Sequence, residues 1–288
     1  MSESRYFETR GLRLHYLDWG GEGPVVILAH GLLEHAHAFD RMAPLLRDAG
    51  YHPVALDWRG HGDSDWVGAG GYYHFAEYVA DLGFLVRHLG GQACLVGHSM
   101  GGNVSLQYAG AEPERVLAMV NIEGLGPPGA DFSVAPAKFA KWIDDLERVE
   151  GRILRPFARE SAERRLHEGF PLLDEGAARH MVLHGTRAVD GGYLWKYDPL
   201  HRTTSPQPYY SQQAWEFWKR VECPMLYVDG GSSAVAMSMA EIAGRVEATG
   251  AQCVTLPGVR HHPHLECPED LAALIADFLR KSTAGGTA

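Results

Sequence analysis

Five residues, "GHSMG" at positions 97–101, define the chemistry this chain could perform. Ser99 closes the apolar run "CLVG" and stands between Gly97 and Gly101. A G-x-S-x-G stretch between a strand and a helix puts the serine on a tight turn, with its hydroxyl projecting at a sheet edge. A serine hydroxyl is a weak nucleophile at neutral pH, so it needs a neighbouring base and a group that orients that base. The oxyanion formed on attack at a carbonyl needs two preorganised N–H donors. The Met100 amide, directly after the serine at a helix N-terminus, is one expected donor. The other is the Leu32 amide in "HGLLE", the loop after "VVILA", where Gly31 permits the turn.

Such groups meet only if a sheet holds them. Two alternating segments around Gly11 predict a β-hairpin, and "PVVILAHG" a strand buried on both faces. "AFDRMAPLLRDAG" has helical spacing and closes at Gly50; "YHPVALDWRGHG" is a strand and its loop. "HFAEYVADLGFLVRHLG" is a helix, "QACLVGHS" a strand, "MGGNVSLQYAGAEP" a helix stopped by Pro113, and "VLAMVNIEG" a strand. Short connections between alternating strands and helices imply a parallel sheet flanked by helices. From Gly126 to Arg220 the rhythm breaks. It resumes with the strands "PMLYVDGG" and "AQCVTLPG" and the final helix "PEDLAALIADFLRKS". Residues 1–125 and 221–288 are therefore expected to form one α/β core, with 126–220 inserted as a lid. The tail "STAGGTA" is expected to fray.

Composition narrows the class. The chain has 288 residues, 45% hydrophobic and 22% charged, with a formal net charge of −10. That charge and the lack of a Lys/Arg cluster argue against nucleic acid as partner. No run reaches the roughly 18 apolar residues of a membrane span, and the polar start does not resemble a signal peptide. Cys94, Cys223, Cys253 and Cys267 lack C-x-x-C spacing, consistent with free thiols in a reducing cytoplasm. Oligomeric state is not readable.

The ordered pieces "HGLLEHAHAFDRMAPLL", "DWRGHGDS", "GHSMGGN" and "HHPHLECPEDLA" resemble the α/β-hydrolase superfamily over essentially the whole chain. The first of them, with "GYYHFAEYVADL", is most similar to the serine-hydrolase-like branch. The resemblance implies the α/β-hydrolase fold: a mostly parallel eight-stranded sheet flanked by helices, with a helical lid inserted between strands 6 and 7. It places the base in "LPGVRHHPHLECPE" at His261, although Arg260 stands where the family has glycine, which leaves His262 as the alternative. His264 and Glu266 are read as holding the loop. A metal held by these clustered histidines is disfavoured, since adjacent histidines rarely share one ion.

The acid is less direct. The family's G-x-x-D after "PMLYVDGG" is here "GGSS", with Ser233 in the aspartate's place. Two carboxylates remain: Glu123 in "NIEG", the preferred reading because some branches take their acid from this strand end, and Asp229. Glu123 could instead anchor the lid through an ion pair.

In the insertion, "PAKFAKWIDDLERVEGR" predicts an amphipathic helix whose apolar face (Phe139, Trp142, Ile143, Leu146) packs on the body. The aromatics of "GGYLWKYDPLHR" and "YYSQQAWEFWKR" would line an apolar pocket, though core packing is the default for each ring. His35 and His37 are expected in a solvated loop. These expectations describe a serine esterase acting without a cofactor on carboxylic esters of small or medium hydrophobic acyl groups. A C–C hydrolase, a lactonase, an acyltransferase or a non-enzymatic receptor on the same fold remains open. Haloalkane dehalogenases and soluble epoxide hydrolases resemble this fold but carry a carboxylate where Ser99 stands.

Overall fold

A computed structural model describes residues 1–150, 152–232 and 237–283. Strands β1 (Glu3–Thr9) and β2 (Leu12–Asp18) form the antiparallel hairpin, turned by Arg10 and Gly11 at φ 49° and 79°. In chain order follow β3 (Val25–Ala29), α1 (Ala43–Asp48), β4 (His52–Leu56), α2 (Phe75–His88), β5 (Ala93–His98), α3 (Met100–Ala111) and β6 (Val116–Ile122). Between β6 and the next core strand lie α4 (Ala135–Glu150), α5 (Arg159–Gly169), α6 (Glu175–Gly185), the hairpin β7 (Thr186–Val189) and β8 (Gly192–Trp195), and α7 (Ser211–Trp218). The chain ends with β9 (Met225–Gly230), α8 (Met239–Thr249), β10 (Gln252–Leu256), α9 (Pro263–Glu266) and α10 (Pro268–Thr283).

The main sheet has eight strands in the order β1-β2-β4-β3-β5-β6-β9-β10. β2 runs antiparallel to β1 and β4, and the other pairs are parallel. Alternate residues of the central strands feed two cores, as the two-residue period of a strand requires. Ile27, Leu95 and Met119 pack with Leu82 and Leu85 of α2 and Val104 of α3. On the other face Val26, Leu28, Val96 and Val120 pack with Leu46 of α1 and with Leu271 and Ile275 of α10. Burial on both faces explains why β3 and β5 are continuous apolar runs.

Three local expectations are corrected, and one helix is added. The single helix expected over "AFDRMAPLLRDAG" is a 3₁₀ turn at Ala36–Phe39 followed by α1, because Pro44 sits at the start of α1, where its missing N–H costs nothing. Helix α8 had no specific sequence assignment; it is capped by the Ser238 side chain and stopped by Gly250 at φ 64°. The apolar face of α4 does not pack down as a whole: Phe139 and Ile143 are exposed, while Trp142 meets Tyr72 at a ring separation of 5.3 Å. What docks α4 is its buried Asp145, which accepts from Thr204 N at 2.8 Å and is paired with Lys141 and Arg148. His35 is buried rather than solvated, bonding the Met181 carbonyl through Nε2 at 2.9 Å. Residues 284–288 of the tail lie outside the described residues, whereas Ser282 and Thr283 continue α10. No described helix is long and apolar enough to cross a membrane.

Candidate active site

Ser99 sits between β5 and α3 with φ 49° and ψ −115°, a left-handed backbone that costs a non-glycine residue on the order of 1–3 kcal/mol. Packing on both sides holds it there. Ser99 N donates to the Ile122 carbonyl at 2.9 Å, and Asn103 N to the Ser99 carbonyl at 3.1 Å. The flanking glycines allow the approach: a Cβ on Gly101 would lie 2.1 Å from the Ala29 carbonyl oxygen, and one on Gly97 would lie 2.6 Å from that of Gly101. The start of α3 is thereby pressed against the end of β3.

His261 precedes α9 and brings Nε2 to 3.1 Å from Ser99 Oγ. Glu266 shapes its loop, accepting from Arg260 N at 2.7 Å and His262 N at 3.4 Å. Glu123 follows β6 with φ 54°, and its buried carboxylate places Oε2 3.3 Å from His261 Nδ1. Its Oε1 accepts the Gly230 amide at 2.6 Å. Ser99, His261 and Glu123 thus lie in one relay, drawn from the ends of β5 and β6 and from the loop after β10.

The alternatives fall elsewhere. Asp229 is half-buried, 3.5 Å from Thr255 Oγ1, and among the described residues it makes no hydrogen bond to His261. Burial and the charge of neighbouring Glu123 raise its pKa, so it sits beside the first carboxylate rather than beside the imidazole. His262 turns away from Ser99, with Nε2 3.3 Å from Glu34. Ser233 lies outside the described residues.

The loop after β3 is tightly braced. Gly31 N donates to Glu34 Oε2 at 2.8 Å, Glu34 N to the Gly31 carbonyl at 3.3 Å, and Leu33 N to His61 Nε2 at 3.2 Å. Leu33 has φ 65°. Among the described residues the Leu32 N–H donates to no protein group, so it is available to an external acceptor.

Beneath the site lies a cluster that sequence reasoning missed. Glu34 collects His98, His262 and His264 at 3.1, 3.3 and 3.4 Å. Burial alone would raise the Glu34 pKa, but His98 and His264, with hydrogen bonds from His262 and His264, hold it well below the usual carboxylate range. His98 Nε2 also faces the His261 carbonyl at 2.7 Å, so this ring ties the His261 backbone to the β3 loop. Burial pushes the His98 pKa down to about 3 against the pull of Glu34, and its two ring nitrogens face the Glu34 carboxylate and the His261 carbonyl. The available signal was His98 itself, the histidine inside "GHSMG".

Three groups of described residues could chelate an ion: Glu34, His98 and His262; His15, Asp57 and Asp63; and His37, Asp40, His180 and His184. None includes His261 or Ser99.

Comparison with known proteins agrees with this architecture. Residues 24–266 match the sequence family described as alpha/beta hydrolase fold. The chain is 27% identical to a serine hydrolase-like protein of Danio rerio, covering 93% of this chain and 86% of that one. A hypothetical protein from Pseudomonas aeruginosa PAO1 superposes with a TM-score of 0.87 at 30% identity, covering 96% of this chain and 99% of that one. The thioesterase domain from the curacin biosynthetic pathway gives a TM-score of 0.84 at 26% identity, with coverage of 96% and 99%.

Proposed function

The chain belongs to the α/β-hydrolase fold family, and from that premise we propose that it is a serine esterase cleaving carboxylic esters of small or medium hydrophobic acyl groups. The observation that carries this reading is the relay from Ser99 Oγ through His261 Nε2, at 3.1 Å, and His261 Nδ1 to Glu123, at 3.3 Å. Ser99 attacks the ester carbonyl as His261 takes its proton, and Glu123 holds the ring and balances the charge it acquires. The Met100 and Leu32 amides bind the oxyanion. His261 then gives its proton to the leaving alkoxide, activates a water, and the acyl group departs as the acid. Residues 126–220 act as the lid over this edge of the sheet. Chemistry that needs a carboxylate nucleophile is disfavoured by the hydroxyl at position 99. The resemblance to a thioesterase domain fits the same acyl chemistry.

The test is burst kinetics with p-nitrophenyl acetate and butyrate. Wild type is expected to turn over, and Ser99→Ala to lose kcat by about 10⁴-fold or more. Absence of both burst and turnover on either ester would sink the esterase reading.

A further inference from the structure

About the turn after β3, a second constellation lies apart from the relay. His37 and Asp40 come from this turn, and His180 and His184, one helical turn apart, from α6. Each offers one ligand atom, and these atoms all lie within 4.8 Å of one another. We propose that His37, Asp40, His180 and His184 bind a divalent transition-metal ion of the zinc class, which pins α6 of the insertion to the β3 turn.

The donor set fits that ion. Three imidazole nitrogens and one carboxylate oxygen suit a borderline-soft cation, and four ligands satisfy its tetrahedral preference. Tetrahedral zinc at ordinary bond lengths separates its ligand atoms by about 3.3 Å. Here His37 Nδ1 is 2.8 Å and His180 Nε2 3.0 Å from Asp40 Oδ2, so these separations need to open only slightly to admit the ion. The His37 and His184 rings stack with centroids 3.7 Å apart, which leaves a side-chain rotation to complete it.

Other features agree. Asp40 Oδ1 is buried and has no hydrogen-bond partner, and the His184 ring makes no hydrogen bond among the described residues. The cations facing the cluster are already paired: Arg41 with Asp174 and Glu269 at 3.0 and 3.2 Å, and Lys196 with Asp63 at 2.8 Å. A surface cavity of about 390 Å³, lined by His37, Asp174 and His180 among others, gives an ion access. Because the turn continues from the loop carrying Leu32, a bound ion would brace that loop and α6 together.

The proposal does not depend on the esterase reading and is tested by binding. Full-length protein stripped with chelator is titrated with Zn²⁺ by calorimetry and melted with and without it. One ion per chain is expected, with a rise in Tm of roughly 5 °C at a hundredfold excess over Kd. His184→Ala should bind at least about tenfold more weakly, and its Tm should no longer rise on adding Zn²⁺ as that of wild type does. Asp40→Asn should also weaken binding, but it loosens the His37 and His180 contacts, so His184→Ala is the decisive variant. No saturable binding, or a His184→Ala protein that binds as wild type does, overturns the proposal; the latter would move the ion to one of the other two groups.

Discussion

Glu123 Oε2 faces His261 Nδ1 at 3.3 Å while Oε1 of the same carboxylate accepts the Gly230 amide at 2.6 Å. The backbone of β9 therefore fixes the carboxylate that faces the His261 imidazole. A carboxylate from the end of β6 reaches His261 while the neighbouring strand holds its other oxygen.

Glu123→Gln keeps the shape and removes the charge. It should lower kcat on p-nitrophenyl butyrate by about 10³–10⁴-fold, as loss of the orienting acid does in such relays. Asp229→Asn should cost less than about tenfold, since it has no bond to the imidazole. Steady-state kinetics of the two variants decides, and a reversed order would transfer the role to Asp229.

Gly101→Ala should destabilise by about 3 kcal/mol or more, because its Cβ would sit 2.1 Å from the Ala29 carbonyl oxygen. Gly244 in α8 is the control, with nothing within 4 Å of an added Cβ. There alanine should stabilise by roughly 0.5–1 kcal/mol. Urea unfolding reads both.

Removing the Glu34 carboxylate orphans the Gly31 amide and leaves three imidazoles facing a void. Glu34→Ala should cost about 3–5 kcal/mol, the usual penalty for breaking a buried ion pair from one side. Activity should fall with it, because Gly31 begins the loop that presents Leu32. Circular dichroism melts and kcat measured well below Tm separate the two effects.

His30 and His61 each donate through Nδ1, to the Gly31 and Arg59 carbonyls at 2.7 and 3.1 Å. Each also accepts a backbone N–H on Nε2, from Trp58 and Leu33 at 3.2 Å. Both rings are therefore neutral. Burial lowers their pKa values and takes His35 down to about 4. The folded pKa lies below the unfolded value of about 6.5, so the unfolded chain binds more protons between the two. Stability therefore falls as pH drops below about 6.5, for His35 down to about 4, by up to about 1.4 kcal/mol per pH unit for each ring still neutral. Urea midpoints measured between about pH 7 and pH 5 should show this slope, and a flat profile would count against neutral rings.

Much of the molecule was legible in its residues. The run "CLVGHSMGG" specifies strand, strained turn and helix within ten positions, because glycine spacing and apolar runs act locally. The alternation of "VVILA", "PVAL" and "ACLVGH" with helical stretches implies the parallel sheet for the same reason. The burial of His35 was not legible, nor was the gathering of three imidazoles around Glu34, since both depend on segments distant in sequence.

The carboxylate marks the boundary most clearly. Sequence alone determined that Ser99 follows a buried strand and that Glu123 and Asp229 both end strands at the same sheet edge. Which of them faces His261 was decided by pairing: Ile122 lies opposite Val228, and Asp229 opposite Thr255 of β10. Side-chain direction at a strand end follows from register and from the backbone angles just beyond it. Both are imposed by neighbours far away in the chain, so only the assembled sheet aims a carboxylate at His261.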